Sequence, residues 1–219
     1  MVSISANSWG QAPVDSTQII PTIEVKAKKT RTGIVGSTVT RWESPQLSNT
    51  AATNIATLLQ TEAGVFIKSY GLGSLATSSV RGGSAGHTLV LWNGIPIHSP
   101  MLGLLDLSLL SINAIDAVQF QKGGNGALWG SGAIGGVLSM DNEVDFSDKM
   151  NLSVRSLFGA FGISQQDLNI GLGNTKFQSK TRFSYRRADN DFTYRLRPQL
   201  PKQKQTNAAL ENYNFLQEF

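Results

Sequence analysis

The 219 residues include no cysteine, which removes disulfide frameworks, thiolate catalysis and cysteine metal sites from consideration. Histidine is nearly as scarce. His87 and His98 are the only two, and neither has an aspartate, glutamate or second histidine at ligand spacing, so no metal centre is expected. No run approaches the ~20 apolar residues of a transmembrane helix. The opening MVSISANSWGQAPVDS lacks the basic and continuous apolar regions of a complete signal peptide. SWGQA reads either as the tail of one or as part of a disordered extension. No nucleophile–base pair stands out, so neither catalysis nor a cofactor is expected.

The net charge of +4 is unevenly spread. Residues 1–149 hold 9 Lys/Arg against 10 Asp/Glu, and residues 150–219 hold 10 against 5. Whatever the basic excess serves belongs to the C-terminal third. Nucleic-acid binding would want lysine and arginine on one face with stacking aromatics. Here the basic residues alternate along strand-like segments, which suits a polar interior wall, and no nucleic-acid partner is expected.

Glycine is abundant, and its placement is the most informative feature. In Ile115–Met140, IDAVQFQKGGNGALWGSGAIGGVLSM, the glycines 123, 124, 126, 130, 132, 135 and 136 crowd into 14 residues. Such density survives in a fold only where backbone turns tightly between close-packed elements. The reading is strand, glycine-dense turn, strand. GSGAIG formally matches a dinucleotide fingerprint, but a strand-like GVLSM follows where a helix would be required, and no acidic residue closes a βαβ unit.

Residues 1–48 read as an N-terminal extension with linker. Residues 49–142 read as one compact α+β domain. Asn54–Gly64 has the i, i+3, i+4 stripe of a short helix, capped by Thr53 or Asn54 and stopped by Gly64. Strand-like pieces follow at 65–69, 78–82 and 88–92. Asn93-Gly94 predicts a tight hairpin pairing TLVLW with IPI. From residue 150 the pattern changes. Asn151–Phe161, Ile163–Leu172 and Lys176–Arg187 are each about ten residues, separated by turn chemistry. In the third, Phe177, Ser179, Thr181, Phe183 and Tyr185 share one face. Lys176, Gln178, Lys180, Arg182, Ser184 and Arg186 take the other. Alternation over 9 to 11 residues is what a tilted transmembrane β-strand needs; a soluble antiparallel sheet with one wet face is the competing reading. Asp189–Asn212 reads as a long polar loop, and Asn214–Phe219 as the beginning of a fourth strand.

Several of these segments together resemble the plug domain of TonB-dependent outer-membrane receptors. Leu58-Leu59 through Gly64-Val65 resembles the family's helix and turn, with Ala63 where proline is usual. Ser79-Val80-Arg81-Gly82 resembles its strand-to-glycine element. Leu89–Pro96 resembles its hairpin, with Trp92-Asn93 in place of aliphatic-Asp. Ile115–Gly136 resembles its closing glycine segment, with Gly124 for the common proline and Trp129 for tyrosine. The structural positions the resemblance marks are Arg81, Gly82, Asn93, Gly94, Lys122, Gly123, Gly130, Gly132, Gly135 and Gly136.

The resemblance implies an α+β plug followed by the opening antiparallel strands of an incomplete transmembrane β-barrel over 150–219, read as the N-terminal portion of a longer receptor. It implies a Gram-negative outer-membrane location with a periplasmic N-terminus, lipid contact, and plug-gated uptake of a bulky, scarce solute such as a siderophore or cobalamin. Ile23, Glu24, Val25, Lys26 and Ala27 resemble the TonB box, which pairs with a TonB-like periplasmic energising protein. Positions matching the ligand-facing plug loops are Tyr70, Leu72, Ser74, Leu75, His98, Ser99, Met101 and Leu102. The competing function is a soluble periplasmic binding or interaction module built on a plug, without transport.

Overall fold

A computed structural model describes residues 37–71, 73–123, 126–144, 146 and 149–219, with the side chain of Lys149 excepted. The segment Ile23–Ala27, Leu72 and Gly124 lie outside the described residues.

The chain enters through β1 (Thr38–Glu43) and turns into the short helix α1 (Ser44–Asn49). Pro45 suits the first turn of α1, and the Gln46 side chain accepts from the Glu43 N–H at 2.7 Å, closing a capping box. Helix α2 (Ile55–Glu62) follows the predicted stripe. Asn54 caps it, its Oδ1 accepting from Thr57 N–H at 2.9 Å, and Gly64 leaves it at φ +58°. Ile55, Leu58 and Leu59 are completely buried. Each such burial contributes about 1.5–3 kcal/mol, so α2 is held by packing rather than by helix propensity.

Next come β2 (Phe66–Ser69) and β3 (Ala76–Ser79), an antiparallel pair, then β4 (Thr88–Trp92) and β5 (Ile95–Pro96). Asn93 and Gly94 both take positive φ, +48° and +84°, the backbone a tight primed turn requires. β6 (Ala117–Lys122), helix α3 (Gly126–Trp129) and β7 (Gly136–Asp141) complete this part. The main sheet runs β1-β6-β7-β4-β5, with β4 and β7 parallel and its other neighbours antiparallel. Its core draws on residues from Trp42 to Met140, with Phe120, Leu138 and Met140 fully buried.

Four wall strands follow: β8 (Lys149–Phe158), β9 (Ser164–Gly173), β10 (Gln178–Ala188) and β13 (Leu210–Glu218), in the order β13-β10-β9-β8. The small hairpin of β11 (Thr193–Tyr194) and β12 (Gln203–Lys204) lies between β10 and β13. Directly paired residues in an antiparallel sheet share a face. One face therefore carries Asn151, Ser153, Arg155, Asp167, Asn169, Lys180, Arg182, Ser184, Arg186, Asn212 and Asn214. The other carries Met150, Leu152, Val154, Leu168, Ile170, Leu172, Phe183 and Phe215. Among the described residues this sheet is open, with β8 and β13 at its edges.

Some expectations need correcting. The stretch before residue 49, read as linker, supplies β1, whose six pairings with β6 make it part of the main sheet. The glycine-dense segment is not a plain turn, because α3 forms inside it. β3 begins at Ala76, two residues ahead of the expected strand. The fourth wall strand is no stub: β13 starts at Leu210 and runs nine residues, and the supposed structureless loop contains β11 and β12.

Candidate functional site

Register orients the plug. Thr88 pairs with Gly136 and Gly136 with Lys122, whereas at the opposite end Trp92 pairs with Met140 and Met140 with Val118. The loops resembling ligand-facing elements are tied to the first end. His98 Nε2 sits 2.9 Å from the Thr88 carbonyl and 3.3 Å from Val90 N. Its imidazole is therefore engaged with the β4 backbone. Ser99 closes a local turn, its N–H donating to Leu104 O at 3.1 Å and its carbonyl accepting from Gly103 N–H at 2.8 Å. Met101 and Leu102 project outward, 92% and 65% exposed. In the other loop Tyr70 and Leu75 are exposed, Lys68 Nζ lies 5.4 Å from the Tyr70 ring centroid, and Ser74 N–H donates to Gly71 O at 3.2 Å. Of the anticipated positions, Tyr70, Leu75, Met101 and Leu102 offer free apolar surface, while His98, Ser74 and Ser99 are occupied in holding the loops.

Asp106, which sequence reasoning missed, stitches the two loops together. Its Oδ1 accepts from Ala76 N–H at 3.0 Å, Ser108 N–H at 2.9 Å and Ser108 Oγ at 2.7 Å, and Leu107 N–H donates back to Ala76 O at 2.9 Å. The wall joins here as well. Arg186 donates to Ser108 O at 3.1 Å and to Thr53 Oγ1 at 3.4 Å. Gly73 packs so closely on Leu210 that an added Cβ would meet the leucine side chain at 2.8 Å.

Several of the marked positions have a backbone reason for their residue type. Arg81 and Gly82 both turn through positive φ, +52° and +77°. A Cβ on Gly135 would lie 2.9 Å from His87 O, and one on Gly136 2.7 Å from Gln121 O, so β7 can approach its neighbours only without side chains there. Gly132 faces Gly86 O at ordinary contact distance, Gly130 sits at φ +81°, and Gly123 at φ +124° donates to Gly135 O at 3.3 Å. Lys122 Nζ donates to the Ala63 carbonyl at the end of α2.

At the plug's opposite end a charged seam faces the wall. Asp116, just before β6, accepts from Arg182 at 2.7 Å on both carboxylate oxygens and from Lys180 Nζ at 3.1 Å. Lys180 also donates to the Glu143 carbonyl, and Glu143 N–H donates to Asp116 at 2.9 Å. Burial alone would push the Asp116 pKa up; the Arg182 charge, the Glu143 N–H and the Lys180 charge outweigh it and hold the carboxyl below its ordinary value. Asn113 Nδ2 adds a 3.3 Å bond to Phe183 O. Within the wall, buried Asp167 is neutralised by Arg155 at 2.9 Å and accepts from Gln165 and Ser184. Asp116 itself was not singled out from sequence. The available signal was the basic excess of residues 150–219, alternating on one strand face and calling for carboxylates elsewhere.

The outward face of the wall is mainly apolar between aromatic pairs, with Ser179, Thr181 and Gln217 hydrogen-bonded to one another on it. Tyr185 and Tyr213 rings lie 4.8 Å apart at one level, and Phe177 and Phe219 6.4 Å apart at the other. Eight residues of strand separate Tyr185 from Phe177, about 26 Å along the strand and roughly 20 Å after a ~40° tilt. That height approaches the ~25 Å apolar band and its aromatic girdles in outer-membrane barrels.

Residues 34–137 match the family model described as the TonB-dependent Receptor Plug Domain. The vitamin B12 transporter BtuB of Photobacterium profundum is 39% identical over 89 residues, 41% of this chain and 15% of that protein. BtuB of Vibrio vulnificus is 40% identical over 103 residues, 47% of this chain and 16% of that protein. The chain thus spans about a sixth of the length of these curated relatives. Among solved structures, the copper transporter OprC superposes with a TM-score of 0.58 at 21% identity, over 70% of this chain and 25% of OprC. The pyoverdine outer membrane receptor FpvA from Pseudomonas aeruginosa PAO1 gives 0.58 at 17%, over 69% and 22%. These two likenesses speak to fold. The sheet register and the glycine positions agree with that match: residues 34–137 are similar to the plug domain of TonB-dependent receptors, and a run of antiparallel strands follows them.

Proposed function

We propose that this chain supplies the plug and adjoining wall strands of an outer-membrane receptor that imports a bulky, scarce solute, cobalamin or a siderophore chelate. The observation that carries the reading is the reversed polarity of the wall sheet. Its charged and amide face packs on the plug, and its apolar face, bounded by aromatics, is turned away. A soluble sheet buries the opposite face. Lipid supplies the partner for the apolar side, and a plugged lumen accounts for the polar one.

In this mechanism the solute is captured at the loops of Tyr70, Leu75, Met101 and Leu102. A TonB-like periplasmic protein engages Ile23–Ala27 by strand addition, in which main-chain hydrogen bonds supply affinity. Pulling on that segment then remodels the plug. The test is deletion of residues 19–27 in the receptor as cells make it. Energised uptake of radiolabelled cyanocobalamin or ferric siderophore should fall to the level of receptor-deficient cells, with binding to the cell surface retained. Unchanged uptake refutes the assignment of Ile23–Ala27, and water solubility as a detergent-free monomer would favour a periplasmic module instead.

A further inference from the structure

Arg186 is a cation that the transport reading leaves without a task. It stands half-buried on the plug-facing side of β10, and its guanidinium donates to two parts of the plug at once, Ser108 O at 3.1 Å and Thr53 Oγ1 at 3.4 Å. Both contacts fall on junctions. Segment 106–111 clasps the two solute loops through Asp106 and Leu107, and it also seats α2. Leu110 O accepts from Ile55 N–H at 3.0 Å, Leu107 O accepts from Ala56 N–H at 3.3 Å, and Asn54 bridges to Ser111. The N–H groups of a first helical turn have no partner within their own helix, so this segment completes the start of α2. Thr53 immediately precedes the Asn54 cap. One wall side chain therefore touches the footing of the loops and the entry to α2.

The guanidinium also keeps a donor idle. Arg186 Nε is buried with no hydrogen-bond partner among the described residues, a condition native structures rarely leave unanswered. The carboxylates whose charge reaches it are Asp106 and Asp167. Asp167 is neutralised by Arg155. Asp106 makes its three bonds, to Ala76 N–H and to Ser108 N–H and Oγ, through Oδ1. A planar guanidinium with an unused N–H, in the field of a carboxylate with an oxygen to spare, has a forked ion pair open to it as a second arrangement.

We propose that Arg186 is a positioning residue of the solute site, which couples the loops to α2 by exchanging partners. In the arrangement described it pins Ser108 and Thr53 and so sets the clasp against the wall. A solute seated on Tyr70, Leu75, Met101 and Leu102 draws Ala76 away from Asp106. The loosened carboxylate then takes the Nε–H of Arg186, the guanidinium leaves Thr53, and the first turn of α2 loosens. Resting on the transport reading, the coupling names the element of the plug that responds to capture. Lysine cannot replace the arginine fully, because a single ammonium lacks the planar fork that reaches Ser108 and Thr53 together.

The complete receptor, purified in detergent, provides the test. Equilibrium binding of radiolabelled cyanocobalamin and of ferric enterobactin identifies the solute, and hydrogen exchange at the Ile55 and Ala56 amides is then followed with and without it. In the unaltered receptor, solute should speed exchange at both amides. Arg186→Met should weaken solute binding about tenfold, as expected for losing hydrogen bonds from a charged donor, and its α2 should exchange equally with and without solute. Arg186→Lys should fall between. Thr53→Val removes one contact and leaves Ser108 held, so it should keep the solute affinity and lose the solute-dependent exchange, and it carries the test if Arg186→Met does not fold. A merely structural arginine would shift exchange by one factor in both conditions and preserve the difference. That result overturns the coupling, as does an unaltered receptor whose α2 ignores the solute. Unchanged affinity in Arg186→Met overturns the positioning role. Failure of the unaltered receptor to bind cobalamin and ferric chelates alike overturns the transport reading, and the coupling with it.

Discussion

Replacing Asp116 by asparagine is the most telling perturbation of the seam. The carboxylate is 16% exposed and Arg182 only 7%, so the pair is largely shielded from water. In the variant, Arg182 keeps Glu218 at 3.5 Å, and Lys180, 21% exposed, can turn to solvent. Breaking one half of a buried ion pair costs about 3–5 kcal/mol. The surviving Glu218 contact and the solvated lysine reduce that to about 2–3 kcal/mol. Urea unfolding of the detergent-solubilised receptor, followed by fluorescence of the plug tryptophans Trp42, Trp92 and Trp129, measures the loss. A double-mutant cycle with Arg182→Met isolates the pair. The pH dependence supplies a second check. Because the folded-state pKa of Asp116 is depressed, its contribution is complete above the ordinary value of 3.8 and disappears as pH falls through the lower folded value. Asp116→Asn should flatten the stability profile in that acidic window. A coupling energy under about 0.5 kcal/mol, or an unaltered acid profile, would refute the account of the seam.

Other substitutions probe the remaining elements. Gly136→Ala sets a Cβ 2.7 Å from the Gln121 carbonyl and should destabilise the plug by about 1–3 kcal/mol, read as a lowered urea midpoint. Asp106→Ala frees the two loops from each other and should weaken surface binding of the solute more than it lowers the unfolding midpoint, with Asp106→Asn intermediate; equal binding by all three would refute its positioning role. Val154→Arg places a charge on the apolar face and should cost about 2–4 kcal/mol in a lipid bilayer, whereas Ser153→Arg on the plug side should cost far less. Refolding into vesicles compares the two.

Local chemistry was legible in the sequence, and long-range pairing was not. Asn93-Gly94 and the α2 stripe announce themselves within a few residues, because turn and helix are decided by neighbours. Alternation in β10 sorted Lys180, Arg182 and Arg186 from Phe183 and Tyr185 for the same reason. β1 escaped because Thr38–Glu43 is a strand only by pairing with β6, roughly eighty residues on. Asp106 and Asp116 escaped likewise. Each looks like an ordinary loop carboxylate until the fold brings Ala76 to one and Arg182, 66 residues away, to the other.

Among the described residues, the plug's core closes on itself between Trp42 and Met140 and includes no apolar side chain of the wall. The seam between them consists mainly of hydrogen bonds and ion pairs. Heat capacity distinguishes the two ways such an assembly can come apart. Unravelling the plug wets its hydrophobic interior and raises the heat capacity strongly, but sliding it from the wall uncovers polar groups, whose hydration changes it little or with opposite sign. Water can replace each seam contact as it is lost, so the interface is in effect lubricated by solvent. A calorimetric transition with small heat-capacity change, preceding the main unfolding endotherm, would be the thermal mark of a plug that loosens while still folded.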